Sequence, residues 1–288
     1  MSIVNSGEGL QPLRIGLGMA WVWRHEPTPA ECRNLLEHAL QRGIKWFDVS
    51  PAYGIAEQCL GDVAGNHPGA LRIVGKYYGG KSPHEWTSEG LKAVFDASLT
   101  AMRLQRFDAY VLHSPPFGVV ESDLFETLIA LRDEGLAATV GISADGPVLT
   151  RALALHDIGV VETSVNFLDT SSLGPAAIAS GNGALVFAKR ALANAVWRDR
   201  DRQVSGYRAE YALRLRESGG SHSDDEWLDL AVRFATFAPK VDIAFIGTGK
   251  KTHLDAIVRA ARRGPLPDAV RDGWMEFNAS HPEWEAQT

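Results

Sequence analysis

The sequence predicts one closed (β/α)8 barrel of the TIM-barrel class, and three observations carry that prediction. Eight short runs of strand-forming residues alternate with amphipathic segments, the pattern of successive βαβ units. The runs start 31, 27, 35, 31, 22, 24 and 57 residues apart, and every interval but the last suits one strand and one helix with short loops. Run after run also ends in a polar residue: Asp48, Lys76, His113, Ser143, Asn166, Lys189 with Arg190, and Thr248. Barrel enzymes gather their chemistry at that C-terminal rim. A doubly wound open sheet, the alternative, needs polar groups at one switch-point crevice and not on nearly every strand.

The predicted strands lie within 14–19, 45–50, 72–77, 107–113, 138–143, 160–166, 184–190 and 241–248. Between the first two, Thr28-Pro29-Ala30-Glu31 sets a capping residue, an N1 proline and a capping-box glutamate in order. Cys32, Leu35, Leu36, Ala39 and Leu40 then recur at helical spacing, and Gly43 closes the helix. Leu91, Val94, Phe95, Leu99 and Met102 repeat the pattern, and Ser223-Asp224-Asp225-Glu226 opens another helix through Trp227, Leu230, Ala231 and Phe234. The 57-residue interval predicts an inserted loop or helix region over about 191–222, in which the alternating charges of Arg198-Asp199-Arg200-Asp201-Arg202 read as a solvated face. A tail over about 264–288 follows the last unit, and its Trp274, Phe277 and Trp284 either close over a pocket or form an interface. No repeat or low-complexity linker divides the chain, so residues 1–288 are expected to form one domain.

Composition narrows the function. With 288 residues, 45% hydrophobic and 22% charged, the chain can bury a sizeable core. A net charge of −6 offers no excess of cations to release counterions from a nucleic-acid backbone, so nucleic acid is not an expected partner. Cys32 and Cys59 are the two cysteines, too few for a disulfide framework at this length, which points to a reducing cytoplasm. The first residues lack a basic and apolar leader, and no run approaches the roughly 18 apolar residues of a membrane span. Familiar nucleotide and metal motifs fail in turn. Trp21 stands where a Gly16-x-Gly18 dinucleotide fingerprint needs its third glycine, and around Gly249-Lys250 a phosphate loop would need glycine at Ala244 and Ser or Thr at Lys251. His84-Glu85 is not followed by a second histidine at ligand spacing, and no metal is expected. A Gly-x-Ser-x-Gly nucleophile elbow is absent from the sequence.

The informative segment runs Asp48-Val-Ser50-Pro-Ala-Tyr53-Gly54-Ile-Ala-Glu57 and on to Gly61. It resembles the D-x-A-x-x-Y-G-x-x-E signature of the aldo-keto reductases, a family of NAD(P)H-dependent (β/α)8 barrels, with Ser50 in place of the small alanine. The resemblance stays in register: Lys76 ends the third strand, His113 the fourth in Val111-Leu-His-Ser-Pro-Pro116, and Ser143 the fifth. Phe245-Ile-Gly-Thr-Gly249 and the helix after it are similar to the family's phosphate-binding segment, so the likeness extends from about Arg14 to Arg262.

The residue chemistry agrees with that activity. Hydride transfer to a carbonyl builds alkoxide character, so a proton donor must stand beside the oxygen. Tyr53 fits the role, and a neighbouring Lys76 ammonium would lower its pKa from about 10 by roughly 1–3 units. Asp48 can hold Lys76 charged and aimed, and His113 can hydrogen-bond and orient the carbonyl. Each residue also has a plain structural reading, as a loop cap, a solvated lysine, a packed aromatic or a core histidine; their joint occurrence on successive strand ends favours the chemical one. Glu57 and Gly61 read as a first-turn helix charge and a close-packing point.

For the cofactor, the resemblance implies that Ser143 and Asn166 hold the nicotinamide carboxamide, although the family's asparagine after the serine is Ala144 here. Its strand-six glutamine falls on Glu162 or Ser164, and its stacking aromatic in strand seven is replaced by Lys189 and Arg190, of which Arg190 can stack its planar guanidinium. Gly247, Thr248 and Gly249 would approach the pyrophosphate, with Lys250, Lys251 and His253 at a helix N-terminus suited to phosphate. These cations favour NADPH over NADH, while the adenine-directed Glu-Asn pair of many members corresponds to Ala256-Ile257. Trp21, Trp23, Trp86 and Phe117 are the expected substrate walls, joined by Trp197, and suit an apolar or aromatic carbonyl compound. Two other functions compete: a Schiff-base lyase using Lys76, and a nucleotide-sensing binding subunit, since potassium-channel β-subunits resemble these reductases.

Overall fold

The computed structural model describes residues 12–199, 204–206 and 208–286. Eight parallel strands pair in chain order and the last closes on the first: β1 (Ile15–Gly18), β2 (Trp46–Asp48), β3 (Arg72–Tyr77), β4 (Ala109–His113), β5 (Val140–Ser143), β6 (Val160–Ser164), β7 (Leu185–Lys189) and β8 (Ile243–Ile246). All eight fall inside the runs predicted from sequence, and the architecture is a (β/α)8 barrel. The helices are α1 (Ala20–His25), α2 (Pro29–Gln41), α3 (Ala56–Asn66), α4 (Ser88–Met102), α5 (Leu124–Asp133), α6 (Gly146–Leu155), α7 (Leu173–Gly181), α8 (Arg208–Glu217), α9 (Asp224–Phe237), α10 (Lys251–Arg262) and α11 (Asp268–Ala279). Among the described residues no helix is long and apolar enough to cross a membrane.

Strand parity fixes what fills the barrel. Successive side chains point to opposite faces, and Leu17, Phe47, Ile73, Leu112, Ile142, Val161, Val186 and Ala244 join the core under the surrounding helices. The alternate positions Val74, Ala109, Val111, Val160, Phe187, Ile243 and Phe245 form a second buried cluster in the lumen, against which Trp46 and Leu185 pack. Phe187 lies 5.2 Å from Trp46 and 5.3 Å from Phe245, centroid to centroid. The plug is full on the β1 side, since a Cβ on Gly16 would fall 2.4 Å from the Phe245 ring. Two residues further along the same face stand Asp48, Lys76, His113, Glu162 and Lys189, and Ser143 pairs in register with His113 and Glu162. A charged layer therefore sits directly on an apolar plug.

The helix ends follow the chemistry of the sequence. Thr28 and Ser223 each close a full capping box, with Glu31 and Glu226, at the starts of α2 and α9. Glu57 sits in the first turn of α3, where burial raises its pKa against a Ser98 hydrogen bond. Gly61 lets α3 approach α4: a Cβ there would meet the Met102 backbone at 2.7 Å. The long interval holds a 3-10 helix (Ala193–Asp199) and α8. Asp199 pairs with Arg208, Arg198 is exposed, and Arg200-Asp201-Arg202 of the charged run lie outside the described residues.

The insertion is tied down by aromatic and guanidinium contacts. Trp197 is fully buried and stacks with Trp227, which stacks on Phe167. Arg214, also buried, donates to the carbonyls of Leu168 at 3.0 Å and Glu285 at 2.7 Å, and its guanidinium lies 4.9 Å from the Trp284 ring centroid. Trp274 meets Phe167 edge-on at 4.9 Å, and Phe277 packs against Trp284 at 5.2 Å. The tail thus straps the insertion and the segment after β6.

Two glycines of α3 separate packing from propensity. Gly61→Ala is expected to destabilise by about 1–3 kcal/mol through overpacking against α4, whereas Gly65→Ala, whose Cβ would have nothing within 4 Å, should be neutral or gain roughly 0.5–1 kcal/mol. Urea unfolding midpoints of the two variants check this.

Candidate active site

Asp48 ends β2 in the lumen, and the chain beyond it turns back over the rim. Ser50 caps the 3-10 turn Pro51–Tyr53, its Oγ accepting from the Ala52 amide at 3.4 Å while the Tyr53 amide donates to the Ser50 carbonyl at 2.9 Å. Gly54, at φ +63°, reverses the backbone into α3, a conformation that disfavours any Cβ. Tyr53 is thereby brought edge-on to His113, with ring centroids 6.0 Å apart.

Lys76 is 2% exposed, and a buried ammonium needs partners. It has two. Its Nζ lies 2.8 Å from Asp48 Oδ1 and 2.7 Å from Glu162 Oε2, with Glu162 Oε1 accepting at 2.8 Å from the far side of the lumen. A second cluster adjoins the first. Lys189 Nζ is 3.0 Å from Asp145 Oδ2 and donates to Ser143 Oγ at 3.4 Å, while Arg190 reaches Asp145 at 3.3 Å and Ser164 Oγ at 3.0 Å. Asp145 also accepts from the Ser164 amide at 2.6 Å and the Thr163 hydroxyl at 2.7 Å. Three carboxylates face three cations, so the layer can be buried without net charge.

The titrations follow from this arrangement. Burial works against the Lys76 ammonium, but Asp48 and Glu162 outweigh it and raise its pKa, so the charge persists. Burial and the neighbouring Glu162 raise Asp48 to about 7 against the pull of Lys76. His113 is held well below its ordinary range by burial, with Lys76, Lys189 and Arg190 adding repulsion, and is a neutral imidazole. Its Nδ1 is buried with no hydrogen-bond partner among the described residues. Burial lowers Lys189 against Asp145, whose own pKa is brought down by Lys189 and Arg190 despite its burial. Tyr53 departs from the sequence expectation. Lys76 does pull its pKa down, but burial, aided by Asp48 and Glu162, raises it overall.

A cavity of about 540 Å³ opens on these groups. Tyr53, His113, Ser143 and Glu162 line its floor with the buried lysines; Trp21, Trp23, Arg24, Leu192, Asn194, Gly247 and Thr248 form its walls. Trp21 Nε1 and Asn194 Nδ2 are buried without hydrogen-bond partners among the described residues. The rim backbone is unusual: Ser114, Arg190, Ala193, Asn194 and Ala195 all have φ between 45° and 55°, a region non-glycine residues rarely occupy. Trp86, Phe117 and Asn166 are not among the described residues lining this cavity. Trp86 is buried in the loop after β3 and donates to the Gly80 carbonyl at 3.0 Å, Phe117 is 49% exposed, and Asn166 engages the Leu168 amide and the Arg190 carbonyl. Trp197 belongs to the insertion core, and Trp274, Phe277 and Trp284 to the tail strap.

Gly247 and Thr248 lead from the cavity toward α10. Thr248 Oγ accepts from the Lys250 amide at 3.2 Å, and Lys250, at the N-cap of α10, supplies no side-chain cap. The first-turn amides are therefore left for an anion. Gly249 packs close to Trp21, where a Cβ would come within 3.1 Å of the ring. Lys251 opens α10; burial lowers the pKa of His253, with Arg198 and Lys250 adding repulsion, so these cations share one neighbourhood. Donor amides, glycines and cations together fit a phosphate-bearing cofactor.

Two groups of this site carry more weight than their sequence context announced: Glu162 and Asp145. The available signal was a carboxylate in the apolar run Val160-Val161-Glu162, which demands a partner when buried.

The profile of the Aldo/keto reductase family matches residues 14–279, and the chain belongs to that family. Membership places it among oxidoreductases. Among solved structures, an aldo-keto reductase from Bacillus halodurans in its holo form superposes with a TM-score of 0.73 at 20% identity, covering 92% of this chain and 91% of that one. A glycerol dehydrogenase from Gluconobacter oxydans gives 0.72 at 18% identity over 93% and 92%, and an aldo-keto reductase from Klebsiella pneumoniae in complex with NADPH gives 0.70 at 17% over 96% and 93%. At these identities the likeness establishes the fold. No curated protein matches the sequence.

The buried charge balance predicts unequal costs. Asp145→Asn leaves Lys189 and Arg190 without their shared carboxylate and should destabilise by about 3–5 kcal/mol. Asp255→Asn, at the more exposed pair with Arg42, should cost no more than about 1 kcal/mol. Guanidinium unfolding of both variants gives the comparison.

Proposed function

We propose that the chain is an NAD(P)H-dependent oxidoreductase that interconverts an aldehyde or ketone with its alcohol, with Tyr53 as the general acid and base. The observation that carries this reading is the meeting of Tyr53, His113 and the Asp48–Lys76 pair at the floor of a cavity whose rim leads to the uncapped start of α10. The nicotinamide cofactor supplies or accepts the hydride when bound.

The chain's own groups manage the proton and the geometry. The Tyr53 hydroxyl, kept protonated by its surroundings, donates to the oxygen as alkoxide character develops. The persistent Lys76 charge stabilises the phenolate left behind, and Asp48 holds that ammonium in place. The neutral His113 imidazole hydrogen-bonds and orients the carbonyl. Trp21, Trp23 and Leu192 offer an apolar wall to the substrate. When the cofactor binds, Ser143 would hold the nicotinamide amide, and Arg190, fixed by Asp145 and Ser164, would offer it a planar cation. Asn166 supports that loop through the Arg190 carbonyl. The backbone amides of Gly247, Thr248 and Gly249 would donate to the pyrophosphate, and Lys250, Lys251 and His253 would favour the extra phosphate of NADPH.

The NADPH complex of the Klebsiella pneumoniae neighbour supports the choice of cofactor, and the Gluconobacter oxydans dehydrogenase supports keeping the oxidative direction open. A Schiff-base lyase needs a neutral, nucleophilic lysine, which two carboxylates around Lys76 oppose. Buried, unbridged Cys32 and Cys59 fit a reducing cytoplasm.

Tyr53→Phe should lose about 10²- to 10⁴-fold in turnover across an aldehyde, ketone and sugar panel, with NADPH binding by tryptophan fluorescence unchanged. Undiminished turnover would remove Tyr53 from the chemistry, and cofactor binding with no turnover in the unmodified protein would favour nucleotide sensing. In paired titrations NADPH should bind more tightly than NADH, and Lys251→Met should erode that difference.

A further inference from the structure

Glu162 is a charged group on the cavity floor to which the proposed chemistry gives no part. It is 1% exposed, and both its oxygens lie within 2.8 Å of Lys76 Nζ, so β6 and β2 hold the same ammonium from opposite sides of the lumen. We propose that Glu162 is a positioning residue that shares Lys76 with Asp48 and thereby adds to the burial that disfavours a Tyr53 phenolate. The inference rests on the reading of Tyr53 as the general acid and base.

Burial is the largest influence that keeps the Tyr53 phenol neutral. Lys76 and, from α1, Arg24 favour its phenolate; Asp48 and Glu162 disfavour it; His113, edge-on to the ring, is neutral. Around the Glu162–Lys76 contact stand Asp48, Tyr53 and Lys189, and Lys189 and Arg190 share the carboxylate of Asp145. Asp48 alone already pairs the Lys76 ammonium that favours a phenolate. Glu162 adds a second negative charge at that ammonium, which further penalises a phenolate nearby. Glu162 leaves the overall equilibrium of the reaction untouched. It moves the pH at which each direction runs: proton donation, and so carbonyl reduction, persists into alkaline solution, while alcohol oxidation, which needs the phenolate, awaits higher pH.

The decisive variant is Glu162→Gln, which keeps the shape and one acceptor oxygen for Lys76 but removes the charge; Glu162→Met is the second, should the first not fold. Ultraviolet difference spectra of the ligand-free protein, each read against the same background carrying Tyr53→Phe, isolate the Tyr53 tyrosinate. At about pH 10 its absorbance is expected to rise about tenfold in Glu162→Gln, the equivalent of a shift of about one unit. Glu162→Asp, which restores the charge, should return the signal at least halfway to the original. In turnover, the alkaline rise of alcohol oxidation should move to lower pH by the same amount, with the change in kcat and not in KM. An unchanged or weaker tyrosinate signal in both charge-removing variants overturns the role of Glu162, even where Tyr53→Phe is inactive. Full activity of Tyr53→Phe instead overturns the acid–base reading itself, whatever the spectra show.

Discussion

A buried ammonium must be neutralised where it stands, and much of this molecule's active end is the consequence of that requirement at Lys76. The residue sits one layer above a buried apolar plug of Val74, Val111, Val160, Phe187 and Phe245. An unpaired charge there would cost several kcal/mol. Its partners come from β2 and β6, strands that are not neighbours, so the ion contacts bridge the lumen and couple the barrel's shape to the state of its charges. The same logic repeats one strand over. Lys189 and Arg190 are held by Asp145, which is itself fixed by the Ser164 amide and the Thr163 hydroxyl.

Much of this was legible in the amino-acid sequence, for physical reasons. Strand intervals and capping boxes are local signals, and the eight runs, the Thr28 and Ser223 caps and the close-packing glycine at 61 all read directly. Asp48, Lys76 and His113 fall at strand ends and Tyr53 only five residues past Asp48, so position along the strands places all four near one rim. Glu162 was harder. Its pairing with Lys76 depends on barrel closure bringing β6 opposite β3, a relation between residues 86 apart that no periodicity reports. Aromatic walls were harder still, because loop side chains have no fixed direction. Trp21 and Trp23 enter the cavity from α1, while Trp86 turns under its loop to donate to Gly80 and Phe117 faces outward.

The rim shows a second constraint. From Arg190 to Ala195 four non-glycine residues hold a left-handed backbone, each at a cost of order 1–3 kcal/mol. Such a conformation persists when the surroundings over-determine it. Here Arg190 is pinned by Asp145 and Ser164, its carbonyl by Asn166, and the following 3-10 helix by the buried Trp197 stack. The insertion and the tail are therefore part of what shapes the cavity wall. Arg214 binds the two together through Leu168 and Glu285.

Net charge and local charge part ways in this protein. An excess of six negative charges over the whole chain argues against a polyanionic partner, whose binding draws on many cations at once. A dinucleotide asks for far less. It needs donors at one point, which the uncapped start of α10, with Lys250, Lys251 and the nearby Arg198 alongside, would offer under the proposed reading. On the floor of the cavity the balance is kept differently, by matching Asp48, Glu162 and Asp145 against Lys76, Lys189 and Arg190. Charges so matched exert little field at long range, yet each still acts strongly on a phenol a few ångströms away. Electroneutrality makes the layer stable, and the order in which the charges alternate decides what it does to Tyr53.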